Sequence, residues 1–186
     1  SVALLVGGGV GLPPMFYLAE AVRAAGWTGC AFIGAVTGDL LAVAFTDQSP
    51  DASGSPVHAV RQFADAGLPA VVTTDDGTLG LHGLITDGLR KYLDQQSPAE
   101  RDPSVIYTCG PNAMMRSVAG LAAEFAVDCQ ACVEQAMACG MGTCQSCIIR
   151  IRDDEHPQGR LADGTRWRFR LACTDGPVFP ADQVIW

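Results

Sequence analysis

The chain has 186 residues, of which 48% are hydrophobic, and its formal net charge of −8 gives a pI near 4.6. This length can hold one full domain and a smaller one, and the acidic charge argues against nucleic acid or an anionic membrane surface as a partner. No apolar run approaches the roughly 20 residues that a membrane-spanning helix needs. Eight cysteines without an export signal indicate a reducing compartment, so we expect a cytoplasmic protein.

Strands and helices alternate over the first 130 residues. Val2–Val6 is a short apolar strand typical of the centre of a parallel sheet, and a helix follows from about Pro13 to Ala25, with proline at its start and glycine after its end. Four more strands are predicted near residues 30–35, 70–74, 105–108 and 128–133, and two more helices near 84–95 and 112–125. This order predicts an α/β fold with a doubly wound, five-stranded parallel sheet.

Ligands of such sheets bind at the carboxyl ends of the strands. Those ends are predicted at Gly7–Gly11, Asp75–Gly77 and Cys109–Pro111. The amides of the glycine loop and the helix start behind it suit a phosphate, although the spacing is G-x-G-x-x-P rather than G-x-G-x-x-G. A tight strand-to-helix turn is the alternative. The dinucleotide interpretation assigns phosphate binding to Gly8, Gly9, Val10 and Gly11.

Four cysteines near the carboxyl end have the spacing C-x4-C-x2-C, followed after 25 residues by the fourth. This is the plant-type ferredoxin pattern for a [2Fe–2S] cluster. Gly140 and Gly142 lie within the motif and permit backbone conformations closed to other residues. A structural zinc site or a disulfide framework is the alternative, but zinc sites usually have two C-x2-C pairs, and disulfides are rare in cytoplasmic proteins. The pattern predicts four cluster ligands: Cys139, Cys144, Cys147 and Cys173.

The other cysteines and the segments around the motif also carry predictions about the carboxyl-terminal part of the chain. Cys129 and Cys132 are alternative ligands, but we expect them to be packed thiols of the fifth strand. Between the third and fourth cluster cysteines, Ile148–Arg152 and Trp167–Leu171 alternate in polarity, which predicts a small antiparallel sheet. We therefore expect an NAD-binding domain over residues 1–130 and a cluster-binding domain over residues 131–186.

Together these motifs resemble the ferredoxin–NADP reductase superfamily, which has G-G-x-G-x-x-P after its first nucleotide-domain strand and C-G-P after a later one. Here these are Gly8–Pro14 and Cys109–Pro111. The nucleotide-then-cluster order, with Val71–Gly77, Met137–Gly140 and Cys173–Phe179, is similar to the electron transfer subunits of dihydroorotate dehydrogenase B. The resemblance covers nearly the whole chain.

The resemblance implies roles for several residues in coenzyme binding. Cys109, with Gly110 and Pro111, would lie near the nicotinamide ring, although a small apolar residue closing a strand is an equal alternative. NADP-dependent relatives carry Ser-Arg where this chain has Thr74 and Asp75. A carboxylate repels a 2′-phosphate but can accept hydrogen bonds from a free ribose hydroxyl, so we expect NADH to be preferred. The alternative is that residues 75–77 form only a turn.

The resemblance also implies parts outside this chain. Family members begin with an FAD-binding β-barrel that this sequence lacks, and a flavin is needed because NADH gives up two electrons while the cluster accepts one. We expect an electron-transfer component of an NAD-dependent oxidoreductase complex, incomplete alone, with FAD on a domain outside the chain. The implied partner is the FMN-containing catalytic subunit of dihydroorotate dehydrogenase, in a hetero-oligomer that forms orotate in pyrimidine biosynthesis. A subunit of a hydrogenase, sulfide dehydrogenase or ferredoxin oxidoreductase complex and a non-enzymatic NAD and cluster redox sensor are the alternatives.

Overall fold

The computed structural model describes all of residues 1–186. The ten strands are β1 (Val2–Gly8), β2 (Thr28–Ala35), β3 (Ala70–Thr74), β4 (Leu81–His82), β5 (Ser104–Cys109), β6 (Asp128–Cys132), β7 (Ile148–Arg152), β8 (Gly159–Arg160), β9 (Arg166–Leu171) and β10 (Val178–Pro180). The five helices are α1 (Leu12–Ala24), α2 (Arg61–Ala64), α3 (Ile85–Asp94), α4 (Pro98–Arg101) and α5 (Asn112–Phe125). None of them combines the length and apolar character that crossing a lipid bilayer requires.

The main sheet has the strand order β10-β6-β5-β1-β2-β3-β4. The predicted five parallel strands form its centre, in the order β6-β5-β1-β2-β3, and the α/β fold class is confirmed. The sheet has seven strands rather than five, because short β4 is added at one edge and β10 pairs antiparallel with β6 at the other. Strands of two and three residues are too short to give an alternating pattern, so the sequence did not predict them.

Helices cover both faces of this sheet, as a doubly wound fold requires. In β1, Leu4 and Val6 belong to one buried cluster with residues of α3 and α5, whereas Ala3 and Leu5 belong to the other with residues of α1 and α2. The chain places β2 and β3 on one side of β1, and then β5 and β6 on the other side. The direction in which strands are added therefore changes between β1 and β5. Open α/β sheets bind ligands at this switch point.

The carboxyl-terminal part forms a three-stranded antiparallel sheet in the order β7-β9-β8, which confirms the sheet predicted from the alternating segments. It is not separate from the main fold. Ile149 and Ile151 of β7 belong to the same buried cluster as Ile106 of β5, and β10 returns to the edge of the main sheet. A domain boundary at residue 130 therefore stays a prediction.

Candidate functional site

Two loops meet at the switch point with their backbones in close contact. A β-carbon at Gly11 would lie 1.9 Å from the carbonyl oxygen of Cys109, and one at Gly110 would lie 2.7 Å from the carbonyl oxygen of Gly8. Gly110 also has a φ of +146°, which other residues rarely adopt. The glycines that the sequence marked as phosphate ligands thus have a packing role: they let the loop after β1 and the loop after β5 approach each other.

A cavity of about 590 Å³ opens beside these loops. Of the predicted coenzyme-binding residues, Gly8, Gly9, Asp75 and Pro111 line it. Gly8 and Gly9 lie just before α1, where unpaired helix amides favour an anion. The other predicted coenzyme-binding residues do not line it: Val10, Gly11, Thr74, Cys109 and Gly110.

Sequence analysis missed the apolar part of this cavity. Val36, Leu40 and Leu84 line it and are 57%, 62% and 56% exposed. Each follows a strand: Leu40 ends the 3-10 turn Gly38–Leu40 after β2, and Leu84 comes directly before α3. Large apolar residues at the carboxyl ends of strands could have indicated a ligand-binding site in the sequence, since such side chains otherwise pack in the core.

The structure separates the roles of neighbouring residues after β3. The carboxylate of Asp76 accepts hydrogen bonds from the backbone amide and the hydroxyl of Thr78, at 3.0 and 2.7 Å, and these bonds lower the pKa of Asp76. Thr74 is buried, and its hydroxyl is bonded to the backbone of Leu79. Asp75 is exposed, lines the cavity and accepts no hydrogen bond from the protein. Asp76 and Thr74 therefore build the turn, whereas the carboxylate of Asp75 is free to meet a ligand.

The segment between β6 and β7 carries three of the predicted cluster ligands. The sulfur of Cys139 accepts hydrogen bonds from the backbone amides of Met141 and Cys144, both at 3.4 Å. Gly140 and Gly142 have φ values of +66° and +82°, which curl the backbone around this sulfur. Amide N–H groups that point at a ligand sulfur are a feature of cluster sites, where they help to set the potential of the cluster.

The four predicted ligand thiols lie in two pairs. Cys139 is among the groups that lower the pKa of Cys144, and Cys147 and Cys173 each shift the pKa of the other, so the thiols interact mainly in these two pairs. Hydrogen bonding to Ser146 and Cys139 lowers the pKa of Cys144 to about 6, and bonding to Cys173 lowers the pKa of Cys147. No three potential ligand side chains converge on one point. Paired thiols fit a two-iron cluster, in which each iron takes two protein ligands.

Ser146 is a second residue that sequence analysis missed. Its hydroxyl donates to the carbonyl of Ala136 at 3.0 Å, accepts from the amide of Ala138 at 3.2 Å, and lies 3.2 Å from the sulfur of Cys144. One side chain thus joins the start of the loop to its end. A serine between two cysteines carries no sequence signal for this role, because its partners lie eight and ten residues away.

Known proteins share both parts of this arrangement. Residues 134–185 match the iron–sulfur cluster binding domain of dihydroorotate dehydrogenase B. The electron transfer subunits of dihydroorotate dehydrogenase B (NAD(+)) from Bacillus cereus and Caldanaerobacter subterraneus subsp. tengcongensis are 33% and 29% identical over 98% of this chain. This chain is similar in sequence to those electron transfer subunits. It spans 57% and 59% of their respective lengths.

A solved structure gives the same fold. It is the NADH-dependent reduced ferredoxin-NADP oxidoreductase described in connection with flavin-based electron bifurcation. One of its chains is 27% identical to this one and aligns with a TM-score of 0.73, covering 100% of this chain and 54% of its own length. The resemblance to ferredoxin reductases and to dihydroorotate dehydrogenase B subunits is thereby confirmed, and the match at residues 134–185 supports a [2Fe–2S] cluster in that segment.

Proposed function

We propose that this chain is the nucleotide- and cluster-binding part of an electron transfer subunit that exchanges electrons between NAD(H) and a partner protein. The observation that carries the proposal is the arrangement of Cys139, Cys144, Cys147 and Cys173 as two thiol pairs in the segment that matches the family. These thiols would hold a [2Fe–2S] cluster, which supplies one-electron oxidation and reduction when bound.

The residues around the thiols would control how far water and a partner protein can approach the cluster. Cys147 is 2% exposed, so its side of the site is closed to solvent. Cys144 is exposed, and the same loop carries Met141, which is 72% exposed, and Met137, which is 48% exposed. Exposed methionines are common at protein-binding surfaces because their side chains adapt to a partner. This edge is therefore our candidate for the surface at which the electron partner docks.

The cavity at the switch point would bind the coenzyme. The pyrophosphate would lie at Gly8 and Gly9, before the amino end of α1. The apolar side chains of Val36, Leu40 and Leu84 offer a surface for the adenine ring. Asp75 would accept hydrogen bonds from the adenosine ribose and repel a 2′-phosphate, so the proposed coenzyme is NADH.

The similarity to electron transfer subunits of dihydroorotate dehydrogenase B supports a proposal for the assembly. The proposed complex oxidises dihydroorotate to orotate for pyrimidine biosynthesis, in the cytoplasm, with this chain as its electron-transfer component. FAD would be bound by a barrel domain outside residues 1–186, and FMN by the catalytic subunit. A second candidate comes from the solved structure, whose name favours a ferredoxin-linked oxidoreductase. Co-purification separates them, since the first predicts an FMN-containing barrel as partner and the second a multi-cluster subunit.

The cluster is tested first. Anaerobically purified protein is examined by iron analysis, visible absorption and electron paramagnetic resonance before and after reduction with dithionite. About two irons per chain and a rhombic spin-half signal on reduction are the expected results. Zinc in place of iron, or no metal after anaerobic reconstitution, would overturn the proposal. Binding of NADH, measured separately by titration calorimetry, tests the cavity whatever the metal content.

A further inference from the structure

Two cysteines outside the proposed cluster face each other at the end of adjacent strands. Cys109 is the last residue of β5 and Cys132 the last residue of β6, and the parallel register sets them directly opposite. Both belong to the buried cluster that packs under α1, so their side chains lie on the same face of the sheet. Each thiol shifts the pKa of the other, as expected for neighbouring groups at paired positions of adjacent strands.

We propose that Cys109 and Cys132 form a reversible dithiol–disulfide pair, a redox site separate from the four cluster thiols. The oxidant is a low-molecular-weight disulfide such as oxidised glutathione. Neighbouring strands lie about 4.8 Å apart, within the roughly 4.4–6.8 Å between Cα atoms that a disulfide spans. Because both residues end their strands, a small adjustment toward S–S bonding distance disturbs only the terminal pairs, Cys109 with Cys132 and Cys132 with Val178 of β10.

The environment assigns a different role to each thiol. Cys132 is half-buried and so is open to a small oxidant, whereas Cys109 is 8% exposed. A small oxidant can reach only the more exposed thiol, so Cys132 is the nucleophile and Cys109 the resolving thiol. The directions of the pKa shifts agree, because the interaction with Cys109 lowers the pKa of Cys132, while that interaction and burial raise the pKa of Cys109.

The exchange balances in two steps. The Cys132 thiolate attacks one sulfur of the oxidant, forming a mixed disulfide and releasing one thiolate. Cys109 then gives up its proton and attacks the Cys132 sulfur, which forms the S–S bond and releases the second thiolate. The pair loses two electrons and two protons, and the oxidant is reduced to two thiols.

The other buried cysteines lack this arrangement. Cys129 lies three residues earlier in β6, opposite Ile106, and belongs to the other buried cluster. Burial is the main cause that raises its pKa to about 12. Cys30, in the middle of β2, is 1% exposed, and its pKa is also raised by burial. Cys129 is therefore a matched internal control.

The test uses the full chain with its cluster intact. The protein is equilibrated anaerobically in glutathione buffers from fully reduced to fully oxidised, alkylated, digested without reduction and analysed by mass spectrometry, while visible absorption follows the cluster. We expect a Cys109–Cys132 crosslink in at least half of the chains in the most oxidising buffer, reversed by dithiothreitol, with unchanged cluster absorption. Cys129 should enter no crosslink.

Variants make the assignment specific. Cys132→Ser should abolish the crosslink and leave Cys109 reduced in every buffer, whereas Cys129→Ser should leave the crosslink unchanged. Three results would overturn the proposal: both thiols remaining alkylatable in the most oxidising buffer, Cys132 stopping at a mixed disulfide with glutathione, or a crosslink that forms only after the cluster absorption is lost. Circular dichroism of each variant verifies that it is folded.

Discussion

Gly11 lies so close to the backbone of Cys109 that a β-carbon at position 11 would be 1.9 Å from the Cys109 carbonyl oxygen. The contact joins the loop after β1 to the end of β5, and neither side is a flexible side chain that could move aside. Both loops also border the candidate coenzyme cavity, through Gly9 and Pro111. The same contact therefore controls stability and the shape of the proposed coenzyme site.

Substituting Gly11 with alanine should destabilise the fold. The new methyl group must push two backbone segments apart, and we expect a loss of about 3 kcal/mol, at the upper end for overpacking. Gly120→Ala is the control, because a β-carbon there meets nothing within 4 Å and Gly120 lies inside α5. That variant should gain about 0.5–1 kcal/mol. Urea unfolding measures both, and equal midpoints for the two variants would contradict the prediction.

Asp75 and Asp76 should separate coenzyme selection from turn formation. In Asp75→Asn the repulsion of a 2′-phosphate is lost, and we expect the ratio of NADH to NADPH affinity to fall by about 1–2 kcal/mol, or roughly 5- to 30-fold. Asp76→Asn should weaken the bonds to Thr78 and lower stability slightly, without changing that ratio. Titration calorimetry with both coenzymes measures the ratio. A wild-type preference for NADPH, or equal ratios in all three proteins, would refute the assignment.

The sequence predicted the parts of the fold that are long and periodic. β3 and α5 have the predicted limits, since the apolar run Ala70–Thr74 and the segment Asn112–Phe125 are each bounded by turn residues. β10 was missed because it gains its partner, β6, from nearly fifty residues earlier in the chain. The apolar residues of the cavity were missed for a similar reason. Leu40 follows β2 and Leu84 follows β4, so they line one cavity only after these strands have taken their places in the sheet.

Phe179 should couple the carboxyl-terminal segment to the main core. It is 6% exposed, lies in β10 opposite Ala131 of β6, and packs closely against Gly176. Phe179→Ala should cost about 3–5 kcal/mol, whereas Val178→Ala, at a half-exposed neighbour, should cost about 0.5 kcal/mol or less. Urea unfolding followed by both circular dichroism and cluster absorption measures the effect. If Phe179→Ala loses the cluster at low urea while the sheet keeps its wild-type midpoint, residues 131–186 unfold independently of the core.

The ion pair between α3 and α5 should make stability depend on pH. Arg90 donates two hydrogen bonds of 2.6 Å to the carboxylate of Glu124, and the pKa of Glu124 is lowered by this contact. A carboxylate with a lowered native pKa contributes stability above its ordinary value, near 4.5, and this contribution is lost as the pH falls through the native value. Glu124→Gln should therefore be less stable than wild type at neutral pH, and the difference should shrink as the pH falls below 4.5, whereas Glu20→Gln should match wild type throughout. A difference that persists in acid would assign the effect to packing instead.

Cys144 and Cys129 should respond in opposite ways to replacement by alanine. Cys144 is exposed, so its loss should leave the fold intact while removing one proposed cluster ligand. Loss of residues that merely support a metal ligand already costs about 10- to 100-fold in affinity, so the iron content of Cys144→Ala should fall at least about tenfold. Cys129→Ala removes a buried sulfur from the core and should lower the unfolding midpoint while keeping the iron content of wild type. Iron analysis and the spin-half resonance signal of both variants measure the iron content. Full iron in Cys144→Ala together with iron loss in Cys129→Ala would show that Cys129, not Cys144, is the cluster ligand.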